Sequence, residues 1–186
     1  MLQGVQPLTT QQTNFDFLAE YDPLLVQITA TAERLFSSDP NTTLMKLRQF
    51  GEALAQNIAA RLNISREDNP NQQELLYRLD RELQFDPAIR QLFHTLRIEG
   101  NKATHQFQTR HREAMDALKV ARALAIWFHQ TFGDAGSQFN PGPFVPPHDP
   151  SEQLNKSHSA IEQLKQTLLA ANQKLESSEQ LQNLLK

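Results

Sequence analysis

Apolar residues recur along this chain at the three- and four-residue steps of a helix face rather than in the alternation of a half-buried strand. Leu24, Leu25, Ile28, Ala32, Leu35 and Phe36 form the first row. Leu44, Leu47, Gly51, Leu54, Ile58 and Leu62 form a second, sufficient for a central helix of about six turns, in which Gly51 is expected to admit a close neighbouring helix. Leu75, Leu76, Leu79 and Leu83 mark a third helix that ends before Gln84-Phe85. Ile89, Leu92, Phe93 and Leu96 mark a fourth, with Arg90, His94 and Arg97 together beside its apolar stripe. A fifth runs from about Thr109 to Phe132 and stops at Gly133. Its second half, Val120 to Phe128, is apolar nearly all round apart from Arg122, the pattern of a helix buried among others.

Helix starts are marked by Asp-Pro at Asp22-Pro23, Asp39-Pro40, Asp86-Pro87 and Asp149-Pro150, with a fifth start at Asn69-Pro70. An aspartate caps free backbone N–H groups, and proline fits the first helical position, where its missing N–H costs nothing. Asn14 is expected to cap a short turn carrying Phe15, Phe17 and Leu18. Gly100 is expected to end the fourth helix with a positive φ, and Asn101 to restart it as a cap.

Between Gly133 and Pro150, prolines and glycines exclude regular helix, and Phe139, Phe144 and Val145 predict an ordered strap packed extended along the domain. Beyond it Leu154, Ile161, Leu168 and Leu175 recur every seven residues, with Leu164, Ala171 and Leu185 at the matching second positions. Ser157 and Ser178 weaken this coiled-coil seam. The pattern is still running at Lys186, which leads us to expect a piece of something longer, or a helix reaching another domain or copy. The predicted organisation is a flexible stretch 1–13, a helical bundle 14–133, a strap 134–150 and a coiled-coil-like helix 151–186 leading to missing downstream domains. The fold class is all-α, a bundle of about five to six helices.

Composition narrows the function classes. The 186 residues suit one domain with an appendage, and 39% hydrophobic content suits a packed core. The absence of cysteine excludes disulfides and thiolate metal sites. The polar first residues lack a secretory signal, and no apolar run would span a bilayer, so a cytoplasmic location without membrane partners is expected. A net charge of −3 argues against a surface coated with basic residues. Between Arg97 and Arg122, six Arg/Lys stand against three Asp/Glu, a local excess from which Lys102, Arg110, Arg112, Lys119 and Arg122 are candidate nucleic-acid contacts.

The stretch Phe93 to His105 carries the candidate chemistry. With a break at Gly100-Asn101, the guanidinium of Arg97, the amide of Asn101 and the imidazole of His105 would gather at one helix junction, with Lys46, Arg48 and Glu52 as supporting polar residues. Arg48 and Glu52 are spaced to form an i,i+4 ion pair. His111, Arg122 and His129 share a stripe of the fifth helix, but no HExxH, paired-carboxylate or EF-hand pattern accompanies them, and no metal is expected.

Several of these stretches, taken together, resemble the N-terminal region of the R (restriction, motor) subunit of type I restriction-modification enzymes. They are Asn14-Phe15-Asp16-Phe17-Leu18, Asp39 to Glu52, Phe93-His94-Thr95-Leu96-Arg97 with Gly100-Asn101 and His105, Ala125-Ile126-Trp127-Phe128, and Phe144-Val145-Pro146-Pro147 followed by a coiled coil. The same region resembles the wider HEPN-like group of helical domains, several of which are RNases with an Arg-x(4–6)-His motif. Here seven residues separate Arg97 from His105, and the asparagine that usually follows the arginine closely is Asn101.

The resemblance implies a parent protein with a nuclease domain and an ATP- and Mg-dependent motor on double-stranded DNA, acting in a bacterial restriction system with other subunits. The 186 residues contain no phosphate loop, no DExH box and no Asp…Glu-x-Lys arrangement, so no cofactor is expected here. Three functions follow as expectations. The first is a noncatalytic docking module, with Arg97, Asn101 and His105 as a buried hydrogen-bond cluster and self-association through the C-terminal helix. The second is a metal-independent RNase using Arg97 and His105. The third is a module that binds the DNA backbone.

Overall fold

The computed structural model describes residues 13–64, 71–105, 110–134 and 138–184, with side chains for all of these except 151–155 and 175–184. The described residues form a short 3-10 helix (Asp16–Glu20) and six α-helices, with no strand. The helices are α1 (Pro23–Leu35), α2 (Pro40–Arg61), α3 (Gln72–Leu83), α4 (Pro87–His105), α5 (His111–Phe132) and α6 (Pro150–Leu184). The chain divides into two compact units, Met1–His148 and Asp149–Lys186.

Three of the four aspartates are seen to act as the sequence predicts. Asp22 accepts from Leu24 N, Asp39 from Thr42 N and Asp86 from Ala88 N, each next to a proline that begins the helix. The predicted start at Asn69-Pro70 lies outside the described residues; the cap observed on α3 is Asn71, which accepts from Glu74 N at 3.0 Å. Bonds from the Thr42 hydroxyl and backbone hold the Asp39 carboxyl below its usual range. An acid whose folded pKa is depressed stabilises the fold above its unfolded value, and that contribution fades as pH falls through the folded one. Asp39→Ala should therefore cost about 1 kcal/mol at neutral pH. In thermal melts, the gap from wild type should be complete above the ordinary value of 3.8 and close below it; an undiminished gap at about pH 2 would refute this capping role.

In the first unit α2 lies at the centre, packed on α1, α3, α4 and α5. It buries Leu44, Leu47, Phe50, Leu54 and Ile58, the face read from its spacing. On α5 the buried face is Ala114, Ala117, Leu118, Ala121, Leu124, Ala125 and Phe128, whose small residues let neighbouring axes approach. Phe85 stacks on Phe93 with centroids 5.8 Å apart, and Trp127 meets Phe85 edge-on at 5.4 Å.

Gly100 overturns one expectation. α4 runs through it unbroken to His105, and Gly142 is the only described glycine with a positive φ. The glycine serves the α2–α4 contact instead: a Cβ there would stand 2.3 Å from Arg48 Cβ. At Gly51 an added Cβ would meet Leu96 Cδ1 at 3.6 Å, an ordinary contact, so the tight approach expected there belongs to Gly100.

The strap, residues 138–148, is extended and held by side chains rather than by a sheet. Asn14 donates from Nδ2 to Val145 O and accepts from Val145 N, both at 2.8 Å. That use corrects the cap expected of Asn14; the residue before the 3-10 helix is Phe15, without a side-chain cap bond. The hydroxyl of Ser37 donates to His148 O. Phe144 packs on the core and Phe139 lies against His129, but Val145 remains 67% exposed, contrary to the packing expected of it.

The second unit is the single 35-residue helix α6. Ile161, Leu164 and Leu168, at predicted seam positions, are exposed. The side chains of Leu154, Leu175 and Ser178, and all of Leu185, lie outside the described residues. No described helix is long and apolar enough to cross a membrane.

Candidate functional site

The continuity of α4 decides the geometry of the predicted site. Arg97 and His105 are eight residues apart on one regular helix, which places them about 12 Å apart along the axis and about 80° apart around it. Arg97 Nη2 meets His94 Nδ1, one turn back, at 3.5 Å, the outer limit of a hydrogen bond. His105 is exposed and Asn101 half-buried. Arg48 pairs with Glu52 at 3.0 Å and Lys46 donates to Gln49 at 2.9 Å, so neither supports Arg97. The expected buried cluster of Arg97, Asn101 and His105 is thus absent, because its premise was a helix break that packing against Arg48 removes. His105→Ala should change the melting temperature by no more than an ordinary surface substitution, within about 0.5 kcal/mol; a drop of several degrees would restore the junction role.

The candidate nucleic-acid contacts divide. Lys102, Arg110, Arg112 and Lys119 are exposed, with Glu99 bound to Lys102 at 2.7 Å and Asp116 at 4.0 Å from Lys119. Arg122 is 6% exposed and turned inward. Its Nη1 donates to Asn14 O at 2.7 Å and Asn14 Oδ1 at 3.1 Å, and its Nη2 to Pro141 O and Gly142 O. These bonds correct the surface role expected of Arg122: its donors tie the N-terminal segment and the strap to α5.

Around Arg122 lies a network that the sequence reading missed. Asn14 also donates, from its backbone and from Nδ2, to Glu33 Oε1 on α1. Burial raises the Glu33 pKa against the lowering pull of Asn14, and burial lowers that of Arg122 against the raising pull of Glu33. Nearby, the Tyr21 hydroxyl and Glu20 Oε1 share His129 Nδ1 at 2.8 and 2.9 Å. Burial, then Glu20, pushes the Tyr21 phenol up to about 12. Arg61 lies over the Tyr21 ring, 5.0 Å from its centroid. The available signal was Arg122 itself, one charge in an otherwise apolar run. Both networks join structural segments. Among the described residues, no group of three or more His, Cys, Asp or Glu is placed to hold a metal.

Comparison with known proteins gives these features a context. The chain is similar to the type I restriction enzyme EcoKI endonuclease subunit of Escherichia coli (strain K12). The two are 36% identical over 119 residues, 64% of this chain and 10% of that subunit. The match therefore spans a small fraction of the relative's length. It supports a relationship to the endonuclease subunit of type I restriction systems. No family model matches the chain, and no solved structure matches it.

Proposed function

We propose that this chain is a noncatalytic docking module of a type I restriction endonuclease R subunit, joining a motor and nuclease carried elsewhere in the parent to partner subunits. The carrying observation is the similarity to one tenth of a much longer endonuclease subunit. The noncatalytic part is supported by α4, whose continuity separates the only Arg–His pair suggested for catalysis. In this reading ATP, Mg and double-stranded DNA are engaged by the parent protein in the bacterial cytoplasm. The exposed stripe of α6 offers a surface for self-association, and the HEPN-like grouping concerns the bundle's shape rather than its chemistry.

The exposure of Lys102, Arg110, Arg112 and Lys119 supports a second reading, in which the module also touches the DNA backbone. Its mark is a steep loss of DNA affinity with salt.

The docking role is tested by deleting residues 1–148 from the parent subunit and measuring ATP hydrolysis and assembly with the modification subunits separately. Retained hydrolysis with lost assembly is expected, whereas undiminished assembly would refute it. Labelled single-stranded RNA incubated with the purified chain in EDTA should remain intact; cleavage abolished by His105→Ala would establish the RNase instead.

A further inference from the structure

Among the described Phe, Tyr and Trp residues of the first unit, one side chain stands prominently in solvent. Tyr77 on α3 is 64% exposed and stands over a groove of about 590 Å³ between α3 and α4. Leu76 and the stacked pair Phe85 and Phe93 give the groove an apolar wall and floor. Its α4 rim carries Arg90, His94 and Arg97, the three residues that the helical spacing puts together beside the apolar stripe. Arg90 is engaged with Asp80 Oδ2 at 3.1 Å. Arg97 has no carboxylate within ion-pair distance among the described residues; its contact is the His94 ring. Asp80 Oδ1 is buried without a hydrogen-bond partner.

We propose that the α3–α4 groove is a docking site for a short peptide segment of a partner protein, with an aliphatic or aromatic side chain seated on Tyr77, Phe85 and Phe93 and a neighbouring carboxylate held by Arg97. The proposal deepens the docking reading and rests on it. Charge complementarity selects the occupant. A nucleic-acid strand brings a phosphate at every nucleotide, and on and beside α3 the four carboxylates Glu74, Asp80, Glu82 and Asp86 outnumber Arg78 and Arg81, a balance that disfavours such a polyanion. A peptide brings one carboxylate to one unpaired guanidinium, which can bind it through two parallel bonds. An apolar anchor in a pocket with a charged group at its rim is the usual anatomy of such sites.

The test begins with selection of a random dodecapeptide phage library on the full 186-residue chain. The expected consensus places an acidic residue beside a large apolar one. A synthetic peptide of that consensus, followed by fluorescence anisotropy, should lose about tenfold or more in affinity with Arg97→Gln and with Tyr77→Ala, each shown folded by circular dichroism, and should be unaffected by Arg34→Gln on α1. No enriched consensus, or binding indifferent to Arg97→Gln and Tyr77→Ala, overturns the proposal. Tighter, groove-dependent binding of oligo-dT or oligo-U also overturns it, in favour of a single-stranded nucleic acid. The two readings fail separately. Groove variants that join the modification subunits as wild type does refute the groove and spare the module, whereas a chain that takes the peptide but never joins those subunits refutes the module.

Discussion

Gly100→Ala should destabilise the protein, although an alanine in the middle of a helix normally gains about 1 kcal/mol over glycine. The added Cβ would lie 2.3 Å from Arg48 Cβ, and both atoms are fixed directly to their backbones. No rotamer change relieves the contact, so α2 and α4 must separate. These two helices make the most extensive pairing in the bundle. A Cβ–Cβ contact that no side chain can relieve takes the upper end of the about 1–3 kcal/mol that overpacking costs, so about 2 kcal/mol remains after the propensity gain and the melting temperature of a chain of this size should fall by about 4–8 °C. Rescue distinguishes the cause. Arg48→Ala retains the offending Cβ and should not help, whereas in an Arg48→Gly background Gly100→Ala should become neutral or stabilising. A Gly100→Ala protein that melts at or above the wild-type temperature would show that the close approach is not required.

Arg122→Met should have a larger effect, about 3–5 kcal/mol. The substitution removes a buried cation that bonds to carbonyl oxygens of Asn14, Pro141 and Gly142 and to the Asn14 side chain, and it leaves those acceptors and Glu33 without it. Arg122→Lys should recover little, because a compact ammonium cannot spread donors over two segments as the planar guanidinium does. The strap should yield first. Limited proteolysis within residues 138–148 should accelerate at temperatures where the far-ultraviolet helical signal is still intact. Unchanged cleavage of the strap in a folded Arg122→Met protein would contradict the anchoring role.

How much of this was readable from sequence depended on how local each cause is. Asp22, Asp39 and Asp86 were legible as caps because the groups they satisfy lie two or three residues away. The apolar faces of α1 to α5 were legible for the same reason, since helical spacing is a short-range property, apart from Leu24, which was expected in the row of α1 and is 50% exposed. Gly100 was misread because a glycine near an expected helix end and a glycine under a crossing helix look alike along the chain; Arg48, distant in sequence, decides between them. Asn14 was misread because its partner Val145 is 131 residues away. With the break at Gly100 gone, the buried cluster expected of Arg97, Asn101 and His105 went too, while Arg90, His94 and Arg97 remained together beside the apolar stripe, now facing a groove that only α3 could complete. Arg122 gave a partial signal: its burial followed from the apolar run around it, but its partners on the strap did not.

The central proposal is that the bundle docks rather than catalyses, and its most direct measurement is a calorimetric titration of the purified 186-residue chain with the modification subunits of the restriction system proposed for it. Saturable binding with a fixed stoichiometry is expected, unchanged by His105→Ala. A titration without heat or complex formation at concentrations up to about 100 μM, confirmed by sedimentation, would contradict it.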